Sequence, residues 1–204
     1  LCNGQGMDYH CTISSMDEHQ VVVSVNSSVP TISEPSVSVT LYQGLPKSDK
    51  MDSVVQKAVE MGVTRIVPML TQRCVSRPDQ KSAQKKVERW QKISVEAAKQ
   101  CGRGILPPVS PLTDFSAALR QSVSESTVLF FYEGGGQSLQ QCIDPSCKAY
   151  SIFIGPEGGF SEEEVQFALD LGAKKATLGP RILRTETAPV AALAAIMLTT
   201  GNMT

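Results

Sequence analysis

The sequence predicts an α/β fold: a mostly parallel sheet with helices on both faces, preceded by a small β-rich piece. Three observations carry that prediction. Short runs rich in β-branched and aromatic residues alternate with helical patterns, which is how βαβ units read. Twice, at Ile152–Ser161 and Ala176–Pro189, a strand-like run meets a glycine- and proline-rich bend that leads into a helix. Hydrophobic residues make up 41% of the 204, enough for a substantial core.

In chain order, residues 1 to about 30 have β character. Asn3-Gly4 is a turn signal, and Tyr9–Ile13 and Val21–Val25 read as strands around a turn at Met16-Asp17-Glu18. Two strands are too few to fold alone. Asn26 to Ser38, rich in Ser and Pro, reads as a linker. A strand at Val37–Tyr42 then leads to a helix from Ser48 to Met61, with Met51, Val54, Val55, Ala58 and Val59 on its apolar face and Gly62 ending it. Thr64–Leu70 is the next strand, and residues 81–101 form a long helix. Strands follow at Thr127–Tyr132 and Tyr150–Ile154, then a helix at Ser161–Leu171, where Ser161 and Glu164 have capping-box spacing. A short strand at Ala176–Leu178 precedes a last helix at 187–199. That helix is apolar on nearly every face, so it is buried all round, in part against a second subunit.

Composition narrows the function. The formal net charge is -1, so any affinity for nucleic acid must come from local charge. Six cysteines, at 2, 11, 74, 101, 142 and 147, form no Cys-x-x-Cys pair, and His10 and His19 complete no metal-ligand spacing. They read as free thiols in a reducing compartment, with no metal. No apolar run approaches the ~20 residues of a membrane span. The first residue is Leu, and Leu1–Gly6 reads like the middle of a hairpin. The expectation is that natural sequence precedes it and that any targeting segment lies there.

The chemistry concentrates in two bends. Gly155-Pro156-Glu157-Gly158-Gly159-Phe160-Ser161 follows an apolar strand and opens a helix. Ligands of open α/β sheets sit beyond the carboxyl ends of the strands, and glycines there admit positive φ and expose backbone to a ligand. A tight turn that needs glycine for geometry alone is the plain alternative. Leu178-Gly179-Pro180-Arg181-Ile182-Leu183-Arg184-Thr185-Glu186-Thr187-Ala188-Pro189 is the second bend. Neither matches a P-loop, a dinucleotide fingerprint or a Gly-x-Ser-x-Gly elbow, which disfavours an NTPase, a nicotinamide oxidoreductase or an α/β hydrolase.

Together these two bends closely resemble the RsmE family, methyltransferases of the SPOUT superfamily that methylate N3 of a uridine in small-subunit (16S-type) ribosomal RNA. The resemblance extends through Leu45-Pro46-Lys47 with Lys50-Met51-Asp52, Glu60-Met61-Gly62-Val63, Glu88-Arg89-Trp90 with Glu96 to Arg103, and Phe131-Tyr132-Glu133. Cys101 and the triple glycine after Glu133 are small departures. The resemblance implies a C-terminal trefoil knot, S-adenosyl-L-methionine as cofactor, a homodimer with active sites at the interface, and an N-terminal PUA-like barrel for RNA. Residues 1–32 would be the end of that barrel and 33–204 the methyltransferase domain. The implied compartment is the cytoplasm of a bacterium or an organelle of bacterial descent.

On that resemblance the cofactor site comprises Glu133, Ile154, Gly155, Pro156, Glu157, Gly158, Gly159, Leu178, Gly179, Arg181, Ile182, Leu183, Thr187 and Ala188. Lys47, Lys50, Arg89 and Arg103 are the expected RNA contacts. On the long helix, Lys81, Lys85, Arg89, Lys92 and Lys99 share one face, which reads either as a phosphate track or as an ordinary solvated face. Uracil N3 is a poor nucleophile until its proton leaves, so the reaction needs positioning and stabilisation of developing negative charge. Arg184 is assigned that electrostatic role and Glu186 that of proton acceptor or substrate orienter. The alternative is that the two pair across the loop, with Glu186 favouring the helix N-terminus. Two other functions are compatible with the bends: a SPOUT methyltransferase acting on another RNA such as tRNA, and a catalytically silent RNA-binding factor.

Overall fold

A computed structural model describes residues 1–203. Two sheets are present. The strands β1 (Met7–Met16) and β2 (Val21–Pro30) form an antiparallel hairpin by themselves. The second sheet has seven strands, and every pairing in it is parallel. Its strands are β3 (Ser38–Gly44), β4 (Arg65–Leu70), β5 (Thr113–Asp114), β6 (Thr127–Phe131), β7 (Gln137–Ser138), β8 (Ala149–Ile154) and β9 (Lys174–Thr177). They lie in the order β5-β4-β3-β8-β6-β9-β7. Parallel strands need crossover connections, and six helices supply them or close the fold: α1 (Lys50–Glu60), α2 (Gln80–Gln100), α3 (Phe115–Glu125), α4 (Leu139–Cys142), α5 (Glu162–Asp170) and α6 (Ala188–Thr199).

The α/β prediction and the alternation of strands and helices therefore match the structure. Two local expectations do not. Strand β2 runs on to Pro30, into the expected linker, because Ser27 to Pro30 pair with His10 back to Met7. Helix α3 is additional. Its buried residues, Phe115, Ala118, Leu119 and Ser122, have helical spacing, but two of them are small and one is polar, so the apolar stripe is faint in the sequence. The residues before the hairpin meet the loop after α2, where Gly6 N–H donates to the Gly104 carbonyl at 2.8 Å.

The core has two halves, one on each face of the parallel sheet. On one, α1, α2 and α6 pack Val54, Ala58, Trp90, Ala98, Leu193 and Ile196 against Leu41 and Ile152. On the other, α3 and α5 pack Phe115, Leu119 and Val165 against Tyr42, Phe130 and Phe153. The Tyr42 and Phe153 rings stack at 4.4 Å on the two adjacent central strands. This rigid centre fixes the carboxyl ends of β3 and β8, and the first bend grows from the end of β8. Among the described residues no helix is long and apolar enough to cross a membrane, and no cluster of His, Cys, Asp and Glu is arranged to hold a metal ion.

Candidate active site

The first bend leaves β8 at Ile154. Gly159 has φ +66°, a left-handed conformation that favours glycine, and it lets the chain fold back so that its N–H donates to the Pro156 carbonyl at 2.9 Å. The helix behind it starts on a capping box: Ser161 Oγ accepts from Glu164 N–H, and Glu164 Oε2 accepts from Ser161 N–H at 2.9 Å. The bend sits hard against the end of β3. A methyl at Gly44 would come within 2.6 Å of Pro156 Cδ, so only glycine permits this approach.

The second bend runs from β9 to α6, with Gly179 at φ +102° and Pro189 within the first turn of the helix. The two bends are bonded to each other. Thr185 Oγ1 donates to the Gly155 carbonyl at 2.7 Å, and Gln43 Nε2, from the end of β3, donates to Thr185 Oγ1 at 3.0 Å. The same amide donates to the Gly44 carbonyl at 3.0 Å. Gln43 is fully buried, and its Oε1 has no partner. Neither Gln43 nor Thr185 was assigned a role by sequence reasoning. Gln43 carries one legible signal, a long polar side chain that follows the apolar Leu41 and Tyr42 at the end of the strand.

Between the bends lies a cavity of ≈ 810 Å³, within the roughly 300–1,000 Å³ of small-molecule sites. Glu133, Ile154, Gly155, Pro156, Glu157, Gly159, Leu178, Gly179, Arg181, Ile182, Leu183 and Ala188 line it, as expected, and Arg184 and Lys50 lie on it too. Ile182 is 84% exposed at its mouth. Gly158 and Thr187 do not line it. Gly158 faces outward, its carbonyl accepting from Arg73 Nη1 at 3.0 Å, and Thr187 has turned into the first turn of α6, its N–H bonded to the Arg184 carbonyl.

The charged groups are arranged in a network. Lys50 Nζ lies 3.0 Å from Glu157 and 3.4 Å from Glu186. Burial pushes the Glu157 carboxyl up, but its own backbone N–H, Lys50 and the Lys47 N–H outweigh that and hold its pKa below the usual glutamate range. The hydrogen bond to Glu157 holds Lys50 above its ordinary value, against the opposing effect of burial and with help from the charges of Glu157 and Glu186. Glu186 thus pairs with Lys50 and not with Arg184, which is exposed and lines the cavity.

The expected RNA contacts divide. Lys47 contributes its backbone N–H to Glu157, and Lys50 is held between two carboxylates. Arg89 is exposed on α2 but pairs with Asp52 and Asp49 at the start of α1. Lys81, Lys85, Lys92 and Lys99 share its exposed face. Arg103 has to be withdrawn. It is 7% exposed, with Nη2 on Glu34 Oε2 at 2.7 Å and Nη1 on the carbonyls of Val59 and Val63, so it is buried away from any phosphate.

The cavity lies between two glycine bends at the carboxyl edge of a parallel sheet, with arginines in its lining, and the RNA methyltransferase domain model, which matches residues 33–197, gives the class of protein. Within that class the chain belongs to the ribosomal RNA small subunit methyltransferase E family. It is 35% identical over 202 residues to the member from Bacillus subtilis (strain 168), covering 96% of this chain and 79% of that protein. It is 32% identical over 194 residues to the member from Aquifex aeolicus (strain VF5), covering 95% and 82%. The crystal structure of a ribosomal RNA small subunit methyltransferase E from Neisseria gonorrhoeae bound to S-adenosyl methionine superposes with a TM-score of 0.87 at 36% identity, covering 97% of this chain and 81% of that one.

Proposed function

We propose that this protein transfers a methyl group from S-adenosyl-L-methionine to N3 of a uridine in small-subunit ribosomal RNA. The observation that carries the reading is the Gln43–Thr185–Gly155 hydrogen-bonded tie, which joins the two bends around one cavity that Arg184 helps to line.

The residues present fit the cofactor. A side chain at Gly159 would strike both Glu133 oxygens at 2.7 Å, so the bare backbone there keeps the cradle open. Apolar walls from Ile154, Leu178 and Leu183 suit an adenine ring, and the carboxylates of Glu133 and Glu157 suit a cationic ligand. When bound, the cofactor supplies an electrophilic methyl on a sulfonium. Gly155, Gly159, Leu178, Gly179, Ile182 and Leu183 bind and orient it, with Pro156, Arg181 and Ala188 completing the walls. Arg184 stabilises the negative charge that develops on the uracil as N3 loses its proton. Glu186 does not line the cavity itself but pairs with Lys50, which does, and from there it orients the base and receives that proton. No step calls for a metal ion.

Three larger features belong to the same reading. The hydrogen bond that ties the second bend to the first at Thr185 supports a trefoil knot in residues 33–204, although threaded chains are rare. Exposed Ile13, Met16, Val21 and Val25 on the hairpin support residues 1–32 being part of a PUA-like barrel. Exposed Ile182 and Leu198 support a homodimer that covers them.

Arg184→Ala tests the assignment, with methyl transfer to small-subunit ribosomal RNA and cofactor affinity measured separately. Loss of about 10²-fold or more in kcat with cofactor affinity kept is the expected result, the size seen when a preorganised charge-stabilising donor is removed. Retained activity removes Arg184 from the mechanism.

A further inference from the structure

The eight arginines sort into two groups. Arg65, Arg89 and Arg103 pair with carboxylates, and Arg120 lies over the Phe167 ring at 5.0 Å. The other four, Arg73, Arg77, Arg181 and Arg184, pair with no carboxylate among the described residues. Arg181 and Arg184 line the cavity. Arg73 and Arg77 sit on the loop that leaves β4 at the same, carboxyl edge of the sheet, and nothing so far accounts for them.

That loop is built rather than loose. Gln72 N–H donates to Glu164 Oε1 at 2.8 Å, the other oxygen of the carboxylate that caps α5. Thr71 and Cys74 are buried beneath it, with Thr71 N–H directed at Cys74 Sγ at 3.3 Å. Arg77 Nη2 donates to the Thr71 and Gln72 carbonyls at 2.8 and 3.1 Å, which shapes the turn. Arg73 Nη1 donates to the Gly158 carbonyl, and Gly158 lies between two residues that line the cavity. Between the arginines Val75 is 68% exposed. Glu163 on α5 is close enough for its charge to interact with Arg73, but it forms no ion pair with it.

We propose that Arg73 and Arg77 form a clamp for the backbone of single-stranded RNA at the rim of the cofactor cavity, holding phosphates next to the target nucleotide while Val75 contacts a sugar or base face. The inference rests on the RNA methyltransferase reading. Each guanidinium spends one nitrogen on fixing the loop and leaves the rest of its donors toward solvent, which suits recognition of phosphate in a set position. The overall charge of -1 makes such local, uncompensated arginines the way this chain attracts a polyanion.

The test is binding and turnover of an in vitro transcribed small-subunit ribosomal RNA at a series of salt concentrations. Wild type, Arg73→Ala, Arg77→Ala, the double variant and Arg120→Ala are compared. Each rim substitution is expected to raise KM for RNA about threefold to tenfold and to flatten the slope of log K against log [salt] by about 0.7–1. Cofactor affinity and the Arg120→Ala variant are expected to stay at wild-type values. An unchanged slope and KM in the double variant overturns the clamp while the methyltransferase reading stands. Weakened cofactor binding with an unchanged salt slope also overturns it, because Arg73 would then only prop the Gly158 bend. A wild-type protein that methylates no RNA removes the parent reading and the clamp with it.

Discussion

Replacing Arg103 by Met should destabilise the protein severely while leaving the cofactor cavity intact. Arg103 joins three parts of the chain. Its guanidinium holds Glu34, in the segment between the hairpin and β3, and the Val59 and Val63 carbonyls at the α1–β4 turn. Glu34 Oε1 also accepts from the Gly104 and Ile105 amides at 2.8 and 3.0 Å. The Arg103 and Glu34 side chains are only 4% and 15% exposed. Removing one partner of such a pair strands a buried charge, which costs about 3–5 kcal/mol. At about 2–4 °C per kcal/mol for a chain of this size, Tm should fall by about 6–20 °C. The assay is thermal unfolding followed by circular dichroism, with Glu34→Leu and the double variant completing a cycle. The double variant should be less destabilised than the sum of the singles, because it strands no charge. A Tm within a degree or two of wild type for Arg103→Met would refute the reasoning and return Arg103 to the surface as a candidate RNA contact.

Three further outcomes follow from the same geometry. Burial raises the Glu34 carboxyl, but Arg103 and the two amides outweigh it and hold its pKa low. Its contribution to stability is therefore complete above the ordinary glutamate range and is lost as pH falls through the folded-state pKa. Urea midpoints between pH 7 and 3 should show this loss in wild type and a shallower one in Glu34→Gln. Thr185→Val keeps the shape but removes the donor to Gly155 and the acceptor for Gln43, so cofactor affinity should fall by about 1–3 kcal/mol, roughly 5-fold to 150-fold by calorimetry. An unchanged affinity would mean that the tie does not hold the cavity. Gly159→Ala introduces a methyl at positive φ within 2.7 Å of the Glu133 carboxylate, and should weaken cofactor binding at least about tenfold; a change under twofold would contradict the cradle.

The longer strands of the sheet and most of its longer helices were legible because their signals are strong and local, whereas the two-residue edge strands β5 and β7 and the four-residue α4 are too short to leave one. The run Ile152–Ile154 into glycines and the capping box at Ser161 specify a strand end and a helix start within a few residues. Helix α3 was not legible, since Ala118 and Ser122 bury positions that carry little hydrophobic signal. The two bends could be picked out by composition, but their bond through Thr185 and Gln43 joins residues 142 positions apart, and spacing does not reveal such a contact. Arg103 was misread for a related reason. An arginine near the end of a basic helix looks like a surface charge until Glu34, 69 residues earlier, is seen to fold against it. Gly158 and Thr187 belong to the right motifs, but a turn must have some residues on its outer side.

The central claim is that the cavity between the bends serves methyl transfer to N3 of a uridine. Incubating the protein with S-adenosylmethionine carrying a labelled methyl group and with small-subunit ribosomal RNA, then digesting the RNA to nucleosides for mass spectrometry, tests it most directly. The account predicts label in 3-methyluridine, and none when Arg184 is replaced by Ala. Label confined to a ribose or to another base, or no label at all, would contradict it.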